Sequence, residues 1–401
     1  MASVTERFLK YVSYETTSDE FSDTCPSTEG QKAFGAALVE EMLALGIADA
    51  RMDEHGYVYG TVPGDPSLPV IGLIAHMDTA PDASGKDVKA RIVEYKGGDV
   101  CLNTEKDIWL REENYQSLKN HAGKRLIVTD GTTLLGADNK AGVAEIMTAA
   151  EKLMKVKKHA TLKIGFTPDE EIGRGADLFD IPGFDAEYAY TVDGGPIGEI
   201  EYENFNAAGA KVTVRGLSIH PGGAKDKMVN SQLVAMEYNA LLPAQQRPEH
   251  TEGYEGFIHL TDMQGQVEET VLRYIIRDHD MEKFEEKKDL MVAAACRIDE
   301  KYGAGTVQVA LRDSYYNMKN KITPCMYIIE RAEAAMRKVG MTPRNVPIRG
   351  GTDGARLSYM GLPCPNLCTG GENFHGRFEY IPVEDMEKCV DMLVEIIKME
   401  N

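Results

Sequence analysis

Several things are scarce in this sequence of 401 residues, and each scarcity removes a class of protein. Positive charge is the first. Lys and Arg total 44 against 64 Asp and Glu, a formal net charge of -20. A chain this acidic repels nucleic acid and anionic membrane surfaces, so neither is expected as a partner. No apolar run reaches the length needed to cross a bilayer. The opening segment, MASVTERFLKYVSYETTSDE, lacks an apolar core of signal-peptide length. Its Val4, Phe8, Leu9 and Val12 fall at helical spacing instead, which predicts a surface helix and a cytoplasmic protein. Cysteine is present seven times, an odd number spread over a long chain, which argues against a disulfide framework. Only Cys364 and Cys368 are close, and no second pair completes a four-cysteine zinc site. Free, buried thiols are expected. A phosphate cradle of the GxxxxGK type is also missing, which disfavours phosphoryl transfer.

The length exceeds what one hydrophobic core usually serves, so two domains are expected. The first half alternates helix and apolar strand. Helices are predicted at Lys32–Leu45 and Lys140–Val156, and strands at Val70–Ala75, Ala160–Phe166 and Glu187–Val192. Strands this uniformly apolar belong in a sheet covered on both faces, so the fold class is α/β with a mainly parallel central sheet and flanking helices. The pattern then changes. Ala207–Val214, Asn230–Leu242, Phe257–Gln264, Glu268–Arg277, Phe284–Gly303 and Thr306–Arg312 read β-α-β-β-α-β, the order of a ferredoxin-like unit. The predicted organisation is a discontinuous domain, residues 1–205 and 317–401, interrupted by an inserted α+β domain at 206–316. Helices at Cys325–Val339 and Glu384–Met399, with a short strand at Asn345–Arg349, resume the first pattern.

The candidate chemistry sits at strand ends. His76-Met77-Asp78 follows the Val70–Ala75 strand directly, where ligands of open α/β sheets gather. His76 suits a metal, and Asp78 suits the ring's other nitrogen. Taken alone, the triplet is a weak signal and reads first as a plain structural histidine. Asp138, in Leu135-Gly136-Ala137-Asp138, precedes a helix and could be an ordinary N-cap. It could equally bridge two metals. Glu170 and Glu171 follow the Ala160–Phe166 strand; adjacent glutamates can divide labour, one binding metal and one staying free as a base. Asp193 ends another apolar strand, and His375 lies in a glycine-rich loop. The recurrence of such groups at strand ends leaves His76, Asp138, Glu171, Asp193 and His375 as a five-residue ligand set. Mixed N/O donors match zinc. Two divalent cations, three carboxylates and a hydroxide would form a neutral, buriable set.

The segments HMDTAP, LLGADNKAG, TPDEEIGRG, TVDGG, SIHPG, IRGGTDGARLS and ENFHGRFE, in that order, resemble the dinuclear-zinc exopeptidase family over nearly the whole chain. The resemblance implies two Zn²⁺ per subunit, with Co²⁺ or Mn²⁺ as substitutes. Asp138 would bridge them, His76 and Asp193 would complete one site, and Glu171 and His375 the other. Glu170 would be the general base and Asp78 the group that orients His76. His220 would reach from the inserted domain toward substrate, often across a dimer interface, and Arg277 and Arg349 would grip substrate carboxylate or carbonyl groups. The implied activity is removal of the N-terminal residue from short peptides, tripeptides in particular. The inserted domain would act as a lid and a homodimer contact. A dipeptidase, carboxypeptidase or N-acyl amino acid deacylase would need the same metals. A non-catalytic binder would have no use for Glu170.

Overall fold

A computed structural model of the chain describes residues 2–398. It divides into two compact units. The first comprises the chain up to Tyr202, Asn320–Val346 and the chain from Thr352 onward. The second comprises Glu203–Lys319 and the short segment Pro347–Gly351. The sequence boundaries, 206 and 316, fall a few residues inside these limits, and nothing local in the sequence set Pro347–Gly351 apart from its neighbours.

Among the described residues, the first unit is built on an eight-stranded sheet. Its order is Arg51–Met52, Val58–Val62, Thr161–Thr167, Val70–His76, Tyr188–Gly194, Asn366–Cys368, Glu199–Asn204, Arg344–Ile348. The strands Thr161–Thr167, Val70–His76, Tyr188–Gly194 and Asn366–Cys368 run parallel. Val58–Val62 and Glu199–Asn204 join them antiparallel, so the sheet is mixed, with a parallel centre. Ile71 through His76 are all buried, as a strand covered on both faces must be.

Helix Ala137–Leu153 packs on this sheet and is buried on nearly every side. Gly142 makes the approach possible, since a Cβ there would stand 2.0 Å from the Val192 carbonyl oxygen. The closing helix, Val383–Lys398, packs against it; the predicted end at Met399 lies outside the described residues. The N-terminal helix Val4–Tyr11 begins with a capping box between Ser3 and Glu6. It buries Val4, Phe8 and Tyr11 and leaves Leu9 only half-buried.

The segment from Arg91 to Val128 carried no sequence expectation. It forms Arg91–Glu94 and Arg125–Val128, which pair with each other, Arg125–Val128 also pairing with the remote Tyr380–Pro382, and a hairpin of Val100–Asn103 with Ile108–Leu110.

The second unit has the strand order Phe257–Gly265, Glu269–Asp278, Asn206–Arg215, Val307–Tyr315, antiparallel throughout. With helices Ser231–Leu241 and Met281–Tyr302, this is the ferredoxin-like arrangement. Val212, Val214, Tyr238, Leu272, Ile276, Phe284, Met291 and Ile298 form its core.

The expectation of buried thiols holds only for Cys364, Cys368 and Cys389. Cys25, Cys101 and Cys325 are half-buried and Cys296 is exposed. Cys296 lies on a helix whose Phe284, Met291, Ala295 and Ile298 face the core, which leaves its own position on the solvent side.

Candidate metal centre

Register brings the strand-end motifs level. His76 pairs with Thr167, so the segment that leads to Glu170 and Glu171 leaves the sheet beside it. Ile74 pairs with Thr191, which places Asp193 at the same edge two residues later. Asp138 arrives at the start of helix Ala137–Leu153, and the peptide that joins it to Asn139 is cis. His375 arrives on the loop between Glu372 and Tyr380, which reciprocal backbone bonds of 2.9 and 3.1 Å close. Its φ of 60° is in the left-handed region, which histidine adopts more readily than most residues.

All five predicted ligands meet, and they meet as two groups sharing one member. Asp138 Oδ1 is 3.0 Å from His76 Nε2, which is 3.2 Å from Asp193 Oδ1. Asp138 Oδ2 is 3.1 Å from His375 Nε2, which is 3.0 Å from Glu171 Oε2. Within each group the donor atoms lie within 4.8 Å of one another. Asp78 stands behind. Its Oδ1 is 3.2 Å from His76 Nδ1, and its two oxygens accept from the Glu170 and Glu171 amides at 3.0 and 3.1 Å. One carboxylate therefore fixes both the imidazole and the paired glutamates.

Those glutamates differ. Glu171 gives Oε2 to His375, while its Oε1 is buried with no partner among the described residues. The Glu170 carboxylate takes no hydrogen bond from the described residues.

The electrostatics show what such a set demands. Burial pushes Glu171 up to about 7, helped by the charge of Asp138 and opposed by the His375 bond. Burial likewise raises Asp193 and lifts Glu170 well above the usual carboxylate range. Asp138 goes the other way. Burial would raise it, but its bonds to His375 and His76 hold it well below. The Asp138 bond, followed by that of Glu171, carries His375 up to about 11. Burial would lower His76, yet Asp193 and its other carboxylate partners raise it. More negative charge is gathered here than two imidazolium ions neutralise, and each ring nitrogen faces carboxylate oxygens. That donor chemistry, together with the orphaned Glu171 oxygen, fits a pair of divalent cations.

Two buried carboxylates beside the centre carried no sequence signal. Asp353 accepts from Thr167 Oγ1 at 2.8 Å, and burial pushes it up to about 7. Glu379 accepts from the Leu135, Gly136 and Asp138 amides at 2.7, 2.8 and 3.0 Å. Asp138 is therefore not the N-cap its position allowed. Gly136 holds that place, with φ at 80° and no side-chain cap of its own.

The remaining predicted residues belong to the second unit. His220 is exposed; its Nδ1 accepts from the Gly222 amide at 3.2 Å, which puts the proton of the neutral ring on Nε2. Arg277 donates to the Ala208 and Ile276 carbonyls and lies 5.5 Å from the Tyr315 ring centroid. Arg349 is more heavily engaged. It donates to the carbonyls of Gly253 and Glu255 and to Thr251, and it stacks over Phe205.

Residues 125–399 match the family model described as peptidase family M20/M25/M40. The peptidase T of Halothermothrix orenii is 58% identical over 404 residues, covering 100% of this chain and 99% of that protein. The peptidase T of Bacillus subtilis strain 168 is 53% identical over 400 residues, covering 98% of each. Among solved structures, the aminopeptidase PepT of Bacillus cereus ATCC 10987 superposes with a TM-score of 0.78 at 25% identity, covering 98% of this chain and 97% of that one.

Proposed function

The chain belongs to peptidase family M20/M25/M40 and is a metallopeptidase, and from that premise we propose that it releases the N-terminal residue of short peptides, tripeptides above all, with zinc as its native metal. The observation that carries this reading is the shared carboxylate. Asp138 presents one oxygen to a His76–Asp193 pair and the other to a His375–Glu171 pair. His76, Asp138 and Asp193 would hold one cation, and Asp138, Glu171 and His375 the other. Cations bound there would lower the pKa of a water and polarise a carbonyl.

The chain's own residues supply the rest. Glu170, its carboxylate unclaimed by the described residues, accepts a proton from the attacking water and returns it to the leaving nitrogen. Asp78 fixes His76 and holds both glutamate amides, which keeps the base in register with the ligands. His220 would give its Nε2 proton to the oxyanion as charge develops on it. Arg277 and Arg349 are the candidates to take a substrate carboxylate, for which Arg277 would have to release the Ala208 and Ile276 carbonyls and Arg349 would have to release Thr251, Gly253 and Glu255.

The second unit serves in this reading as a lid over short substrates. It also serves as a homodimer contact. Its helix Ser231–Leu241 exposes Leu233 at 62% and Met236 at 57%, an apolar surface suited to a second copy. No described helix is long and apolar enough to cross a membrane, and we place the protein in the cytoplasm.

Hydrolysis of a free tripeptide, with and without a chelator, tests the activity. N-blocked and C-blocked versions of the same peptide test its direction. The expected result is activity lost with chelator, restored by Zn²⁺, abolished by the N-terminal block and retained with the C-terminal block. Cleavage of the N-blocked peptide alone would point instead to a carboxypeptidase or deacylase.

A further inference from the structure

The amides that open helix Ala137–Leu153 need acceptors, as those of any helix N-terminus do. The usual solution is a local side chain at the N-cap. Here the N-cap is Gly136, which has none, and the nearest carboxylate, Asp138, turns both its oxygens to the imidazoles of His76 and His375. The cap comes from far along the chain. Glu379, 2% exposed, accepts from Leu135 and Gly136 with Oε2 and from Asp138 with Oε1.

The place Glu379 comes from matters equally. It stands at the base of the loop that carries His375. Reciprocal bonds between Glu372 and Tyr380 close that loop, and Asn373 Nδ2 donates to the Phe378 carbonyl across it at 3.1 Å. Tyr380 then enters a strand paired with Arg125–Val128, which fixes the backbone next to Glu379. One buried carboxylate thus ties the backbone of the shared ligand, Asp138, to the loop of a ligand on the other side, His375.

We propose that Glu379 is a positioning residue that assembles both halves of the metal centre together, by capping the Asp138 segment from the His375 loop and so freeing the Asp138 carboxylate to be shared. This rests on the two-metal reading above. Glu372 provides the contrast. It accepts from His121 at 2.6 Å and from the Tyr380 hydroxyl at 2.7 Å, steadying the His375 loop without touching the Asp138 amides.

A glutamine at 379 has one acceptor oxygen and one donor nitrogen. If the oxygen serves Leu135 and Gly136, the NH₂ group faces the Asp138 N–H, donor against donor. Titration of the metal-free protein with Co²⁺, read by visible absorbance, and with Zn²⁺, read by calorimetry, tests the proposal. Wild type should bind two ions per chain. E379Q should bind both more weakly, by about 10–100-fold each, the range seen when a supporting partner is lost. At saturating metal its kcat should remain at least about tenfold down while KM stays within about twofold, because the defect is in the centre and not in substrate binding. E379D, which keeps the charge but falls short by one methylene, should lie between. It carries the same test if E379Q does not fold. E372Q should weaken one binding step and spare the other. Wild-type affinity for both ions in E379Q, or weakening of one step alone, would overturn the proposal. Failure of the wild type to bind two ions would instead sink the two-metal reading on which it rests.

Discussion

Replacing Glu170 by glutamine, beside the same change at Glu171, separates proton transfer from metal binding at neighbouring positions. The two side chains are alike in chemistry and differ in what they touch. Glu171 Oε2 is 3.0 Å from His375 Nε2, within a group of donors that all lie within 4.8 Å of one another. Glu170 is in neither group. The Glu170→Gln side chain keeps the volume and the backbone bond to Asp78, so both cations should stay. What it loses is a proton acceptor, which costs about 10²–10⁴ in rate. At about 1.36 kcal/mol per decade this is about 2.7–5.4 kcal/mol of barrier. Glu171→Gln removes one negative charge and an oxygen donor from a single group, so one cation should bind weakly while the other remains. The assay is paired: kcat and KM on a tripeptide, and bound metal after dialysis against buffered Zn²⁺. The reasoning fails if Glu170→Gln sheds zinc or if Glu171→Gln keeps full activity with two ions bound.

Other consequences are spread over the molecule. His220→Ala should lower kcat by about 10²–10³ with metal content unchanged, as removal of an oxyanion donor does. Gly142→Ala would set a Cβ 2.0 Å from the Val192 carbonyl oxygen, one residue before Asp193. Denaturant melts should show a loss of about 1–3 kcal/mol or more, with zinc affinity falling as well. Arg7→Met leaves Glu41 and Glu151 without the guanidinium that holds them at 2.7 Å each, and should cost about 3–5 kcal/mol in the same melts. The same network sets an acid limit. Burial would raise Glu41, but bonds from Lys10 and Arg7 hold it below its ordinary 4.5. A depressed folded pKa stabilises fully above the ordinary value and is lost as pH falls through the folded one. Stability of the wild type should therefore drop on acidification below 4.5 more steeply than that of a Glu41→Gln variant.

What could be read in the sequence was what is periodic or local. The apolar strand Val70–His76 and the β-α-β-β-α-β run announce themselves because burial forces uniform apolarity or a regular alternation of elements. The metal ligands were legible because each follows such a strand or sits in a glycine-rich turn. The strands Arg91–Glu94 and Arg125–Val128 were not. Both are only four residues long, and the sheet they form is completed by Tyr380–Pro382, some 250 positions beyond Arg125–Val128, so no local pattern records the pairing. Glu379 and Asp353 escaped for a related reason. A carboxylate is revealed as a buried acceptor only once the donors it serves, here Leu135, Gly136, Asp138 and Thr167, have been brought to it. Asp138 misled in the opposite sense, since its place before a helix matches an N-cap and only the fold gives that task to another residue.

A crystal of the protein soaked in Zn²⁺ and measured at the zinc absorption edge tests the centre most directly. The account predicts two anomalous peaks per chain, both in contact with Asp138, one also touching His76 and Asp193 and the other Glu171 and His375. A single peak, or a pair that leaves Asp138 untouched, would contradict it.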